Sequence, residues 1–320
     1  MKRILTLDIA KAICIILVVV GHYIPENSPD WYVLTRAFIY SFHMPLFMFA
    51  SGFIYMATRK DIGYGEFILK KFRRLMIPYF TTSVIVITIK LITQGNAYIE
   101  NPVTVMSYVK MLYSPEAGYF LWFIWALWWM FVIVPLFKTQ RQRLILLAIA
   151  LMLAYIPFQT TEIFCIKEFK HMFVYFVLGV VIAEHRQIIW QFVSRYTYII
   201  YILFVGVEAL HLTNVNGGGY VIIVPYLGIA AVVCISNVIA KLGNISWLMV
   251  VSGSSYMIYL FHTTFEGFTK SIVHKISPEG DFWFTIGAIV VIATGVILPI
   301  VIHRYVFTKF HITKVLFGLK

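Results

Sequence analysis

An aspartate, a lysine and a histidine (Asp8, Lys11 and His22) lie within the first apolar run of the chain, residues 5–23. A run of that length makes a membrane-spanning helix. A charge at the centre of a span costs about 2.5–3.5 kcal/mol on insertion scales, so an ionisable group there calls for a use or a partner. At about 100° per residue, Lys11 and His22 differ by a rotation of about 20°, and Asp8 and His22 by about 40° in the opposite sense. The three share one stripe with Ile15 and Val18. The acid and the amine stand at one end, and the imidazole roughly 16 Å further along the axis. That stripe must face protein or water. Asp8 and Lys11, three residues apart, can neutralise each other near the interface. An imidazole titrates near neutral pH, so His22 can serve as a general base for a hydroxyl, or as a hydrogen-bonded interfacial group.

Three further groups carry side chains that chemistry could use. His43 precedes Pro45, and Ser51 with Gly52 permits close helix contact further on. Ser252, Ser255, Tyr259, His262 and Glu266 recur in steps of three and four, which places them on one helix face with Glu266 a turn beyond His262. Such a stripe either glues helices together or lines a site. Lys70, Lys71, Arg73 and Arg74 form a basic run directly before a span. Runs of this kind set topology and bind anionic head groups, and guanidinium groups also clamp phosphates. His171, His211 and Glu208 add to the polar residues near helix ends, but no tight metal-ligand spacing is present and no metal is expected. Trp122, Trp125, Trp128 and Trp129, at helical spacing, read as a packing face and interface anchor.

The elements that must position these residues are transmembrane helices. The 320 residues are 61% hydrophobic and 12% charged, with mean hydropathy +0.85, against about 25% charged in ordinary soluble domains. The expected fold is all-α: a polytopic bundle of about ten helices near 5–24, 36–57, 76–94, 119–137, 144–158, 170–184, 196–212, 220–240, 246–266 and 282–303. The ninth is interrupted by Ser252, Gly253, Ser254 and Ser255. The first is read as a retained span rather than a signal peptide. With the first residues inside, the inner segments hold most of the 26 Lys and Arg, while Glu26, Asp30, Glu100, Glu116, Glu162, Glu168, Glu279 and Asp281 fall outside. That asymmetry predicts an even number of spans with both termini cytoplasmic. The net charge of +12 then reflects topology rather than nucleic-acid binding. The three cysteines lack metal or redox spacing. No polar linker appears, so residues 1–320 read as one transmembrane domain without a fused soluble domain. The same orientation puts Asp8 and Lys11 at the inner end of the first helix and His22, His43, His262 and Glu266 toward the outer side.

The chain resembles the acyltransferase family 3 membrane proteins, which O-acylate sugars and cell-envelope glycans. The resemblance runs over nearly the whole length. It is carried by Leu7, Asp8, Ile9, Ala10 and Lys11 through Gly21 and His22; by Phe42, His43, Met44, Pro45, Leu46 and Phe47 through Ser51, Gly52 and Phe53; and by the basic run ending at Pro78 and Tyr79. Leu121, Trp122, Phe123 and Ile124, then Phe176 through Gly179, then Ser255 through His262 complete it. Two departures stand out. Lys11 occupies a position where the family often has Arg, keeping the charge but not the bidentate geometry. The family's paired arginines three apart are here Lys71 and Arg74, or are shifted to Arg73 and Arg74.

The resemblance implies acetyl-CoA or another acyl-CoA as cytoplasmic donor, with Lys71, Arg73 and Arg74 for its phosphates. It implies a glycan or lipid-linked sugar hydroxyl as acceptor on the outer side, and a requirement for His22. Asp8 and Lys11 join His22 as catalytic candidates. His43, His262, Glu266 and Tyr259 are candidate substrate-binding groups. The expected location is the plasma (inner) membrane of a bacterium, among lipids, with no nucleic-acid partner. Direct transfer and a covalent acyl-enzyme both remain open. A transporter or flippase for a lipid-linked sugar is the rival class, because intramembrane charges suit it equally.

Overall fold

The structure is a computed structural model that describes residues 5–25, 28–95, 101–213, 220–243, 245–276 and 280–319. Glu26, Glu100 and Glu279, three of the acids used for orientation, lie outside the described residues. The described residues are helical with no strand. In chain order the helices are α1 (Leu5–His22), α2 (Asp30–Tyr40), α3 (His43–Ala57), α4 (Tyr64–Thr93), α5 (Ser107–Lys110), α6 (Trp122–Ile133) and α7 (Gln140–Tyr155). They continue as α8 (Ile166–Glu184), α9 (Arg186–Arg195), α10 (Thr197–Thr213), α11 (Tyr220–Leu242), α12 (Ser246–Ile276), α13 (Asp281–Ile302) and α14 (His311–Leu316). A helical segment stands at each of the ten expected apolar runs. Six segments among the described residues are long and apolar enough to cross a membrane, or seven if α8 and α9, bent by 98°, count as one. The others fall short because α7 and α10 are only 16 and 17 residues long and because α12 is diluted by its own polar stripe.

Three local expectations are corrected. The second apolar run is two helices. Pro45 in a continuous helix would clash with the carbonyl of Ser41 four residues back. The chain breaks instead at Ser41 and Phe42, and Pro45 sits in the first turn of α3, where its missing N–H is not needed. The basic run does not stand before the helix, expected to begin near residue 76: α4 starts at Tyr64 and carries residues 70–74 as helix. The ninth run is not interrupted, because α12 continues through Ser252, Gly253, Ser254 and Ser255.

The chain divides into two compact units: Met1–Thr58 with Leu178–Ile300, and Arg59–Val177 with Val301–Lys320. In the first unit α1 is wrapped by α12, α11 and α3. It buries Leu7, Ile9, Ala12, Cys14, Ile15 and Val19 around most of its circumference, as a helix enclosed on all sides must. Gly179, in the second half of α8, meets α3 backbone to backbone: a Cβ there would stand 2.1 Å from the Phe49 carbonyl oxygen. Small residues at such crossings are how membrane helices gain packing contacts. In the second unit α4 packs on α6. The buried Tyr79 hydroxyl donates to the carbonyls of Met111 and Ser114 at 2.8 and 2.9 Å, and its ring stands 5.6 Å from that of Trp125. Trp128 meets Phe72, and Trp129 Nε1 donates to the Phe164 carbonyl. The tryptophan group is thus a packing face toward α4 and the turn before α8.

Candidate functional site

The polar stripes of α1 and α12 meet in the first unit. Ser252 Oγ donates to Asp8 Oδ1 at 3.4 Å, and ten residues further along α12 the His262 ring stands edge-on to His22, centroids 5.0 Å apart and planes at 87°. The two helices therefore run in the same direction, with their polar positions matched from one end to the other. Lys11 is half-buried on the same α1 stripe.

His43 enters from α3. Its ring is buried, with 1% exposure, and lies 4.8 Å from the Tyr40 ring, which is itself 6.3 Å from His22. Tyr40 thus bridges two histidines across the α2–α3 break. The Cys14 thiol donates to the carbonyl of His43 and ties this turn to α1.

All three imidazoles are held in one way. His22 Nδ1 lies 2.8 Å from the Val18 carbonyl oxygen, and His43 Nδ1 lies 2.8 Å from that of Ile39. His262 Nδ1 is shared between the carbonyls of Ile258 and Tyr259, at 3.0 and 2.9 Å. A carbonyl oxygen only accepts, so each Nδ1 carries the proton, and in the neutral ring each Nε2 keeps its lone pair. For His43 that Nε2 is buried and makes no hydrogen bond among the described residues.

The site also contains two groups, Arg36 and Tyr40, that sequence reasoning left without a role. Arg36 Nε donates to the Gly21 carbonyl at 3.1 Å, and its guanidinium lies over the Tyr40 ring. It brings a positive charge to the His22 end of α1. Their i, i+4 spacing was the available signal for Arg36 and Tyr40. Glu266 is buried at 4% exposure, with Oε1 lacking a hydrogen bond among the described residues. Its side chain lies against Gly295 of α13, where a Cβ would stand 2.9 Å from Glu266 Cγ and 3.0 Å from Val19 Cγ1. Gly295 is the space that admits the carboxyl. Tyr259, also buried, stands 6.3 Å from the His262 ring. Glu208 of α10 is buried too and accepts from Ser41 Oγ at 3.1 Å, on the α2–α3 break. His211 shares that helix, whereas His171 belongs to the second unit. No group of three or more His, Cys, Asp or Glu among the described residues is arranged to hold a metal ion.

Lys71, Arg73 and Arg74 belong to the second unit. Arg73 and Arg74 are exposed on α4. Lys71 is turned onto aromatic faces, its Nζ 3.5 Å from the centroid of Phe131 and 5.4 Å from that of Phe67. Lys70 pairs with Glu66 one turn earlier. The two arginines, and not the run as a whole, are therefore the cations presented to solutes.

These observations define a helical polytopic membrane protein in which half-buried His22 of α1 meets buried His43 of α3 and His262 and Glu266 of α12. The model of an Acyltransferase domain matches residues 4–304, and the chain belongs to acyltransferase family 3. Among curated proteins it is 27% identical over 200 residues to Nodulation protein NolL of Mesorhizobium japonicum, covering 60% of this chain and 52% of that protein. It is 28% identical over 198 residues to Nodulation protein NolL of Sinorhizobium fredii, covering 57% and 50%. The chain thus spans about half the length of the curated relatives it matches. No solved structure matches.

Proposed function

We propose that this acyltransferase moves an acyl group, by default acetyl, from cytoplasmic acyl-CoA to a hydroxyl of a cell-envelope or exopolysaccharide sugar, with His22 as the general base. The observation that carries the reading is the His22 ring: Nδ1–H is held by the Val18 carbonyl, which in the neutral ring puts the lone pair on Nε2, at one end of a stripe that begins with Asp8 and Lys11. His22 Nε2 takes the proton of the acceptor hydroxyl as its oxygen attacks the thioester carbonyl. The carbon–sulfur bond breaks, the proton passes to the departing thiolate, and an ester and free CoA remain. His43 Nε2, His262, Tyr259 and Glu266 offer acceptors and donors for the sugar hydroxyls. Arg36, at the same end, supplies positive charge for the developing oxyanion. Arg73 and Arg74 receive the nucleotide phosphates, and Lys11, beside Asp8, adds positive potential within the helices. The location is the bacterial plasma membrane, with His22 toward the outer face.

The test is transfer of label from acetyl-CoA into the glycan fraction of membranes that contain the protein. His22→Ala should lower the rate by at least about 100-fold, the usual share of a general base, at unchanged protein level. A wild-type rate in that variant removes the base role. No label transfer by the wild type, together with movement of a lipid-linked sugar, would make the protein a transporter instead.

A further inference from the structure

In the second unit, the segment after α13 closes onto α4. A π-turn at His303–Phe307 leads toward α14, and Phe307 stacks on Phe317 with centroids 4.3 Å apart. Thr313 Oγ1 donates to the carbonyls of Phe307 and Phe310 at 2.9 and 2.8 Å, which fixes how α14 starts. The helix then ends in a double cap. The Gly318 N–H donates to the Val315 carbonyl and the Leu319 N–H to that of Lys314, with Gly318 at φ +61°. This is the Schellman arrangement, which favours glycine at the left-handed position.

Gly318 meets a second demand. A Cβ on it would stand 2.9 Å from Arg74 Cα and 3.1 Å from the carbonyl oxygens of both Arg73 and Arg74. The cap therefore rests directly on the backbone of the α4 turn that presents the two exposed arginines. Lys314 lies one turn before the cap, preceded by His311 and Lys309. Two cationic segments are held together where repulsion opposes contact, and an anion between them relieves it.

We propose that this turn of α4 and the capped segment form one phosphate-binding surface. Arg73, Arg74 and Lys314 are its cations, and Gly318 is the positioning residue that keeps the two segments in register. The inference rests on the proposed donor role of Arg73 and Arg74. The phosphates of CoA and the head group of an anionic lipid present the same chemistry to such a surface.

The experiment uses the full chain in nanodiscs of neutral lipid, with or without added phosphatidylglycerol. It reads binding of labelled CoA, the donor KM and kcat separately, and thermal unfolding. Gly318→Val and Lys314→Met should each weaken CoA binding by about tenfold, the size of one charge-assisted contact. The loss should appear in KM for the donor rather than in kcat, and Lys314→Arg should restore affinity. Unaltered CoA affinity in Lys314→Met, a variant that leaves the cap intact, together with no Lys314-dependent effect of phosphatidylglycerol on unfolding, overturns the proposal. If Arg74→Ala still weakens binding in that case, the donor reading survives and only the two-segment surface is lost. If phosphatidylglycerol raises the unfolding temperature through Arg74 and Lys314 while CoA has no effect, the surface stands with a lipid as its source and the donor reading falls.

Discussion

At the scale of single residues, the site is set by which nitrogen of each imidazole carries the proton. Each of the three histidines donates through Nδ1 to the carbonyl of a residue three or four positions earlier in the chain, for His43 across the α2–α3 break, and that bond fixes the tautomer of the ring. The residue types and spacing of His22, His43 and His262 were legible in the sequence because they fall at helical intervals in apolar runs. Gly295 was not, and Arg36 and Tyr40 showed only their i, i+4 spacing, because what matters about each is a contact with a different helix. Gly295 illustrates this: along α13 it is one small residue among apolar ones, and only across to α12 does it become the space for Glu266. Gly295→Ala should push the Glu266 side chain aside at a cost of about 1–3 kcal/mol. It should reduce acyl transfer several-fold while the protein stays folded. Transfer rate and unfolding temperature in detergent measure the two effects, and an unchanged rate would mean that the placement of Glu266 is irrelevant to activity.

At the scale of elements, a helical segment at each of the ten apolar runs was readable from periodicity and length, but one interruption was placed where the helix is continuous and another was missed. Small residues suggested a break at Ser252–Ser255, where α12 is continuous, because serine and glycine are tolerated inside a helix packed on neighbours. The real break, at Ser41 and Phe42, lies three to four residues before the proline that causes it. That break delivers His43 and Tyr40 to the site from two helices rather than one. It is pinned by Ser41, which donates to both the Phe38 carbonyl and the buried Glu208 carboxylate. Ser41→Ala removes that donor from a buried acceptor and should cost about 1–3 kcal/mol, read as a lower unfolding temperature. Because His43 follows two residues later, acyl transfer should fall as well. A variant with a lowered unfolding temperature and full activity would separate the break from the chemistry.

At the scale of the whole molecule, composition sufficed for a helical membrane protein, and the family match accounts for residues 4–304. Two compact units were not legible, because the first is assembled from Met1–Thr58 and Leu178–Ile300, far apart in sequence, and nothing in local periodicity marks such a return. The contact of Gly179 with Phe49 is one place where that return is sealed. Its consequence belongs to biogenesis. α3 leaves the ribosome long before α8, so its face around Phe49 waits in the bilayer against lipid until the later helix arrives. Insertion and orientation are decided before this contact exists. Gly179→Leu should therefore yield a chain that enters the membrane in the normal topology, as read by accessibility tags on its loops, yet never acquires the protease resistance of the finished protein.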